Sequence, residues 1–306
     1  MDEKKYQCEY YRVTTLNGNN EAELFDLQNW INILQITNYQ TNVREYLDDY
    51  VRIEDIHFDP VFRCWFMQFV RIRSKDVPLL CKMDQVSTEL ALEENQFIAE
   101  PMVCLYDPNL HLLMIQKNRD SVSAVGIKNY INEFLHNIDI NLDRVFNRSS
   151  LNRIRNAEAT KKIRIRLAEL DNLNIENDNW WNTKIGKAIK AVRGVNIPYV
   201  ELSLSVGHYR KREIDESESE YLLEKIVDNP EMFDKVEYTI LEEGKSQLIN
   251  IFSDAIKDSM TFNLPSNAVL RFDVVSQAMG EIYYGYDNER GRRDMLQSML
   301  AIADRE

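Results

Sequence analysis

The sequence predicts an α+β protein with antiparallel sheets, flanking helices, two domains and a C-terminal helical segment. Three observations carry that prediction. The stretches "KIRIRL" and "VELSLSV" alternate apolar and polar residues with period two, as a strand with a single buried face does. Asp59-Pro60 and Asp107-Pro108 sit between pairs of strand-like runs, and such turns join antiparallel neighbours rather than parallel ones. Other stretches, such as "LFDLQNWINILQI", carry apolar residues at helical spacing. One-sided strands point to antiparallel pairing, and antiparallel sheets with separate helices make an α+β fold.

In chain order, "YQCEYYRVTTL" reads as a strand ending in a Gly18-Asn19-Asn20 turn. A helix follows, with Leu27, Trp30, Ile31 and Leu34 on one face and Asp26 as its cap. "VRIEDIHF" and "RCWFMQFVRIR" form one hairpin, and "FIAEPMVCLY" and "LHLLMIQ" a second. The next helix puts Ile127, Tyr130, Ile131 and Phe134 on one face, capped by Ser121 or Ser123. A boundary near residue 140 divides an N-terminal β-rich domain, 1–140, from a C-terminal α+β domain, 141–306.

The second domain opens with the strand "KIRIRLAEL", a polar turn and the helix "WWNTKIGKAIKAV". The strand "VELSLSV", an acidic helix over about Ser217–Val227, the strand "KVEYTIL" and a Glu242-Glu243-Gly244-Lys245 turn come next. Residues 246–264 fit helix or strand equally. From Ser266 the chain reads as helical, broken or bent by Gly280, Gly285 and Gly291.

No run is apolar over the about 20 residues a membrane span needs, and the N-terminal stretch has no signal-peptide core, which predicts a cytoplasmic protein. Cys8, Cys64, Cys81 and Cys104 are scattered without CxxC spacing and read as reduced packing residues. The four histidines are scattered too, so no metal or cofactor is expected. The sequence holds no P-loop, GxSxG or Rossmann fingerprint. Glu243-Gly244-Lys245 matches a nuclease E-x-K, but on a turn and without a paired upstream Asp. An enzyme is the weakest of the readings, and no catalytic residue is assigned.

Charge layout is more informative. The formal net charge is −13, yet Arg144 to Arg212 carries 15 Lys/Arg against 6 Asp/Glu. Such segmental asymmetry points to an anionic partner or to neutralisation by another segment. In the strand, Lys162, Arg164 and Arg166 share the face opposite Ile163 and Ile165. In the helix, Lys184, Lys187, Lys190 and Arg193 lie opposite Ile185, Ile189 and Val192. Arg210, Lys211 and Arg212 follow the next strand. These ten cations are the expected phosphate contacts of a sequence-independent DNA-binding surface. The alternative is a protein-interaction module whose basic patch meets an acidic partner or its own segment 213–231. A second candidate anion site is Lys117, Arg119 and Ser121, in the loop before a helix start.

The stretch "LYDPNLHLLMIQKNRDSVSAVGIKNYINEF" resembles a segment of an uncharacterised family of bacterial and prophage proteins, and "FDLQNWI" and "WFMQFVRIR" fit the same family. More distantly, the order of elements in the second half is similar to that of the phage exclusion protein RexA and the Kiwa defence protein KwaB. That likeness implies a non-enzymatic, DNA-binding homodimer in anti-phage defence or exclusion, with a membrane-protein partner beside it. It carries over no residue by identity.

Overall fold

The two Asp-Pro turns are built alike. In the computed structural model, Asp59 Oδ1 accepts the N–H groups of Val61 and Phe62 at 2.8 and 3.0 Å, and Arg63 closes the turn with φ at 51°. Asp107 Oδ1 accepts the Asn109 N–H at 2.8 Å, and His111 closes with φ at 47°. A short carboxylate satisfies the free turn amides while proline presets the first turn dihedral. The structure describes residues 2–18, 22–73, 75, 77–135, 138–167, 183–184, 186–188, 200–207, 209, 212–228, 233–252, 256–265, 268–285 and 291–303.

The chain divides into two compact units, Met1–Leu142 with Lys257–Glu306, and Asp143–Ile256. In the first unit the strands are β1 (Asp2–Leu16), β2 (Ala22–Leu24), β3 (Arg44–Tyr46), β4 (Asp49–Asp59), β5 (Cys64–Arg73), β6 (Leu79–Leu80), β7 (Thr88–Glu89), β8 (Ile98–Asp107), β9 (Leu112–Lys117) and β10, which starts at Ile140 and ends at Arg144. A nine-stranded sheet runs β10-β1-β9-β8-β5-β4-β3, with β2 and a late strand also on β1. Helices α1 (Gln28–Ile36) and α2 (Ala124–Phe134) bury Trp30, Ile31, Leu34, Ile127, Tyr130 and Ile131, the residues their spacing predicts. Asp26 Oδ1 accepts the Gln28 N–H at 2.9 Å, and Ser123, rather than Ser121, caps α2 through the Gly126 N–H. These helices pack on Trp65, Met67, Phe69, Cys104 and Tyr106.

The next elements form the second unit: α3 (Arg148–Arg155), β11 (Ala159–Leu167), β12 (Val200–Ser205), α4 (Glu216–Asp228), β13 (Phe233–Glu242) and β14 (Lys245–Asn250). The sheet order is β12-β11-β13-β14, antiparallel throughout. Leu151 and Ile154 of α3 and Leu222, Leu223 and Ile226 of α4 bury one face of it against Ile163, Ile165, Val236, Tyr238 and Ile240. Because β12 and β13 flank β11 and run parallel to each other, α4 serves as their crossover. Glu243 and Gly244, with φ at 49° and 70°, make the tight β13–β14 turn that the sequence predicts.

The last residues belong with the first. Lys257–Leu264 is a strand, β15, paired antiparallel with β1 from Asp2↔Leu264 to Glu9↔Lys257. The sequence predicts one domain over 141–306, whereas residues 257–306 belong to the first unit. β9 pairs with Gln7–Arg12 along one edge of β1, and β15 takes Asp2–Glu9 along the other edge, supplying partners for backbone groups there. Helices α5 (Phe272–Tyr284) and α6 (Arg292–Ala303) complete the unit. Tyr283 of α5 stacks on Tyr10 at 6.4 Å, on the sheet face opposite α1 and α2. Gly285 ends α5 with φ at 89°, as the glycine pattern suggests. Ser266, the expected cap, lies outside the described residues, and α5 starts after Arg271.

Candidate nucleic-acid interface

Alternation in β11 sends Ile163, Ile165 and Leu167 into the core and turns Lys162, Arg164 and Arg166 to the other side. The register sets Ser205, Ser203 and Glu201 of β12 beside these three residues. On the other flank it sets Thr239, Glu237 and Lys235 of β13. The outer face of the sheet therefore joins four cations, Lys162, Arg164, Arg166 and Lys235, to two carboxylates.

Each carboxylate is shared. Glu201 meets Arg166 at 3.0 Å and Arg164 at 3.5 Å, while Glu237 meets Lys235 at 2.7 Å and Arg164 at 3.3 Å. Hydrogen bonding from Lys235, helped by Arg164, holds the Glu237 carboxyl below its ordinary range, so it stays ionised. Among the described residues, two carboxylates against four cations leave a surplus of positive charge on this face. The arginines remain accessible, with Arg164 37% and Arg166 47% exposed. Lys235 was not singled out in the sequence. Its strand alternates outward at Lys235, Glu237 and Thr239, but only the pairing with β11 shows that this face continues the basic row.

The acidic helix does not cover these cations. α4 buries Leu222, Leu223 and Ile226 on the opposite, apolar face of the sheet. Its Glu218 meets Lys184 at 3.7 Å, so Lys184 sits beside α4 and not in the β11 row. Thr183 Oγ1 accepts the Gly186 N–H at 3.0 Å, capping a helical turn on which Lys184 and Lys187 are exposed. Arg212 stacks over the Tyr209 ring at 4.9 Å and its carbonyl accepts the Lys161 ammonium at 2.8 Å. Lys190, Arg193, Arg210 and Lys211 lie outside the described residues.

The second candidate site is not assembled as an anion pocket. Lys117 is 3.3 Å from Glu9, and the buried Ser121 hydroxyl donates to the Glu100 carbonyl. Arg119 is exposed. The loop is organised instead by Asn118, which accepts the Asp120 N–H at 3.2 Å and donates to the Pro101 carbonyl at 3.0 Å. Glu243 and Lys245 flank the left-handed Gly244 at the β13–β14 turn. Among the described residues, no three His, Cys, Asp or Glu side chains are grouped to hold a metal ion. Cys8, Cys64 and Cys104 are buried and free, whereas Cys81, expected as a packing residue, is exposed. No described helix is long and apolar enough to cross a membrane.

No curated protein matches the chain. A family model, described as a family of unknown function (DUF6731), matches residues 1–291. With nearly its whole length inside that match, the chain belongs to the DUF6731 family.

Proposed function

We propose that this protein binds duplex DNA without sequence preference, through the outer face of the β12-β11-β13-β14 sheet, in the cytoplasm. One observation carries the reading: Lys162, Arg164, Arg166 and Lys235 share the outer face of the sheet, and among the described residues Glu201 and Glu237 are the carboxylates that pair with them. The Glu201 pairs are exposed, and such pairs are worth about 0–1 kcal/mol, so a phosphate can replace that carboxylate at little cost. The carboxylates meanwhile hold the arginine forks in place before a ligand arrives. The layout likeness to RexA and KwaB supports a role in phage exclusion as a homodimer beside a membrane-protein partner.

Fluorescence anisotropy with unrelated duplexes tests the reading. Binding at about 50 mM salt should weaken steeply as salt rises, with a log–log slope of about 0.9 per phosphate contact. Changing Lys162, Arg164 and Arg166 together to Gln should flatten that slope, while changing Lys184 and Lys187 to Gln should leave it nearly unchanged. Absence of binding in low salt overturns the proposal.

A second reading has its own support. Arg164 and Arg166 are both salt-bridged, and the unit Asp143–Ile256 holds 18 Lys/Arg against 20 Asp/Glu. A near-neutral unit with a mixed-charge face suits a protein partner, whose capture would survive the loss of nucleic acid after nuclease treatment.

A further inference from the structure

We propose that Arg164 and Arg166 form the principal phosphate seat of the β11 face, and that Glu201 is an intramolecular competitor that leaves the seat when a phosphate arrives. The inference rests on the reading of this face as a DNA-binding surface and adds to it the subsite and its regulation. Arg164 and Arg166 stand two residues apart on one strand, hence about 7 Å along it and on the same face. Glu201 divides its carboxylate between them. Oε2 accepts a hydrogen bond from Arg166 Nη2 at 3.0 Å, whereas Oε1 lies 3.5 Å from Arg164 Nε. The second contact is an ion pair without a hydrogen bond, and Arg164 Nε is a buried donor with no hydrogen-bond partner among the described residues. Leaving such a donor unmet is costly, more so when it belongs to a charged group.

Tethering explains the misfit. Glu201 is fixed to β12 opposite Arg166 in the register, so its carboxylate hydrogen-bonds that arginine and reaches Arg164 only at a distance. A backbone phosphate has no such tether, and its oxygens accept from both guanidinium groups in the fork geometry that arginine favours. Ser203, opposite Arg164, is exposed and follows Glu201 along the same face, which adds a hydroxyl donor beside the seat. The other carboxylate is built to stay. Glu237 is 12% exposed against 41% for Glu201, and it meets Lys235 at 2.7 Å as well as Arg164. Glu237 therefore anchors Arg164 from the β13 side, while Glu201 occupies the phosphate position on the β12 side.

Two substitutions that each remove one negative charge from this face separate the two roles. In fluorescence anisotropy with a duplex at about 50 mM salt, Glu201→Gln should tighten binding about two- to fivefold, the worth of an exposed ion pair. Glu237→Gln should tighten it less, or weaken it. In an Arg166→Gln background the gain from Glu201→Gln should shrink, because the pair it releases is already gone, and a double-mutant cycle measures that coupling. Three results would overturn the competitor while leaving the DNA reading in place: wild-type binding with no gain from Glu201→Gln, an equal or larger gain from Glu237→Gln, or a gain undiminished without Arg166. Binding by neither the wild type nor Glu201→Gln would overturn both.

Discussion

Arg293 donates from Nε to the carboxylate of Asp107 at 2.8 Å, and that aspartate is wholly buried. The same carboxylate accepts the Tyr283 hydroxyl at 2.9 Å and, through its other oxygen, the Asn109 N–H. Next to Arg293, Arg292 grips Asp258 of β15, which also accepts the Tyr10 hydroxyl at 2.6 Å. Two successive arginines thus fasten the start of α6 to two separate strands. The Asp-Pro turn of the second hairpin therefore does more than reverse the chain.

Removing Arg293 should be costly. Arg293→Ala leaves the buried Asp107 carboxylate without its cation, a change of about 3–5 kcal/mol in comparable buried pairs. Urea denaturation should show a lower midpoint with little change in slope. Asp107→Asn keeps the size and some hydrogen bonds, yet deprives Arg293 of its countercharge, so a smaller loss is expected.

Gly280 should resist a change that helices usually welcome. Ala is ordinarily favoured over Gly within a helix by about 1 kcal/mol. Here a Cβ on residue 280 would come within 2.3 Å of the Phe62 ring. Gly280→Ala should therefore destabilise, by about 1–3 kcal/mol for an overpacked site. Combining it with Phe62→Leu should recover part of the loss, which a double-mutant cycle measures as coupling.

Acid should weaken the second unit through its ion pairs. Lys235 and Arg164 lower the folded-state pKa of Glu237, and Arg153 lowers that of Glu242. A depressed folded pKa means that the unfolded chain takes up protons first. The contribution is complete above the unfolded value, about 4.3, and is lost as pH falls through the folded one. Stability measured against pH should drop below that point, and Glu237→Gln should flatten the fall.

Thiol labelling should divide the cysteines by burial. Cys81 should react in the folded protein, whereas Cys8, Cys64 and Cys104 should react only on unfolding. Burial also pushes the Cys64 thiol up to about 12, so little thiolate is present at neutral pH. Labelling of more than one cysteine under native conditions would contradict the described core.

Local pattern by itself determined the elements whose signals lie within a few residues. The faces of α1 and α2, both Asp-Pro hairpins, the β13–β14 turn and the inward set of β11 follow from spacing and turn chemistry, which are properties of adjacent residues. Segment 246–264 is ambiguous because β14 is short, with Leu248 and Ile249 adjacent, and the alternation of β15 at Met260, Phe262 and Leu264 spans only a few residues. Tertiary structure decided the rest. That β15 pairs with β1 depends on backbone edges more than two hundred residues apart, which no periodicity records. The cations of β11 were legible in the sequence, but their electrostatic surroundings were not. Glu201 and Glu237 reach Arg164 only because β12 and β13 flank the same strand, while α4 lies on the other face. A charge falls off over a few ångströms in water, so its partner is set by what folding brings near and not by what stands beside it in the chain.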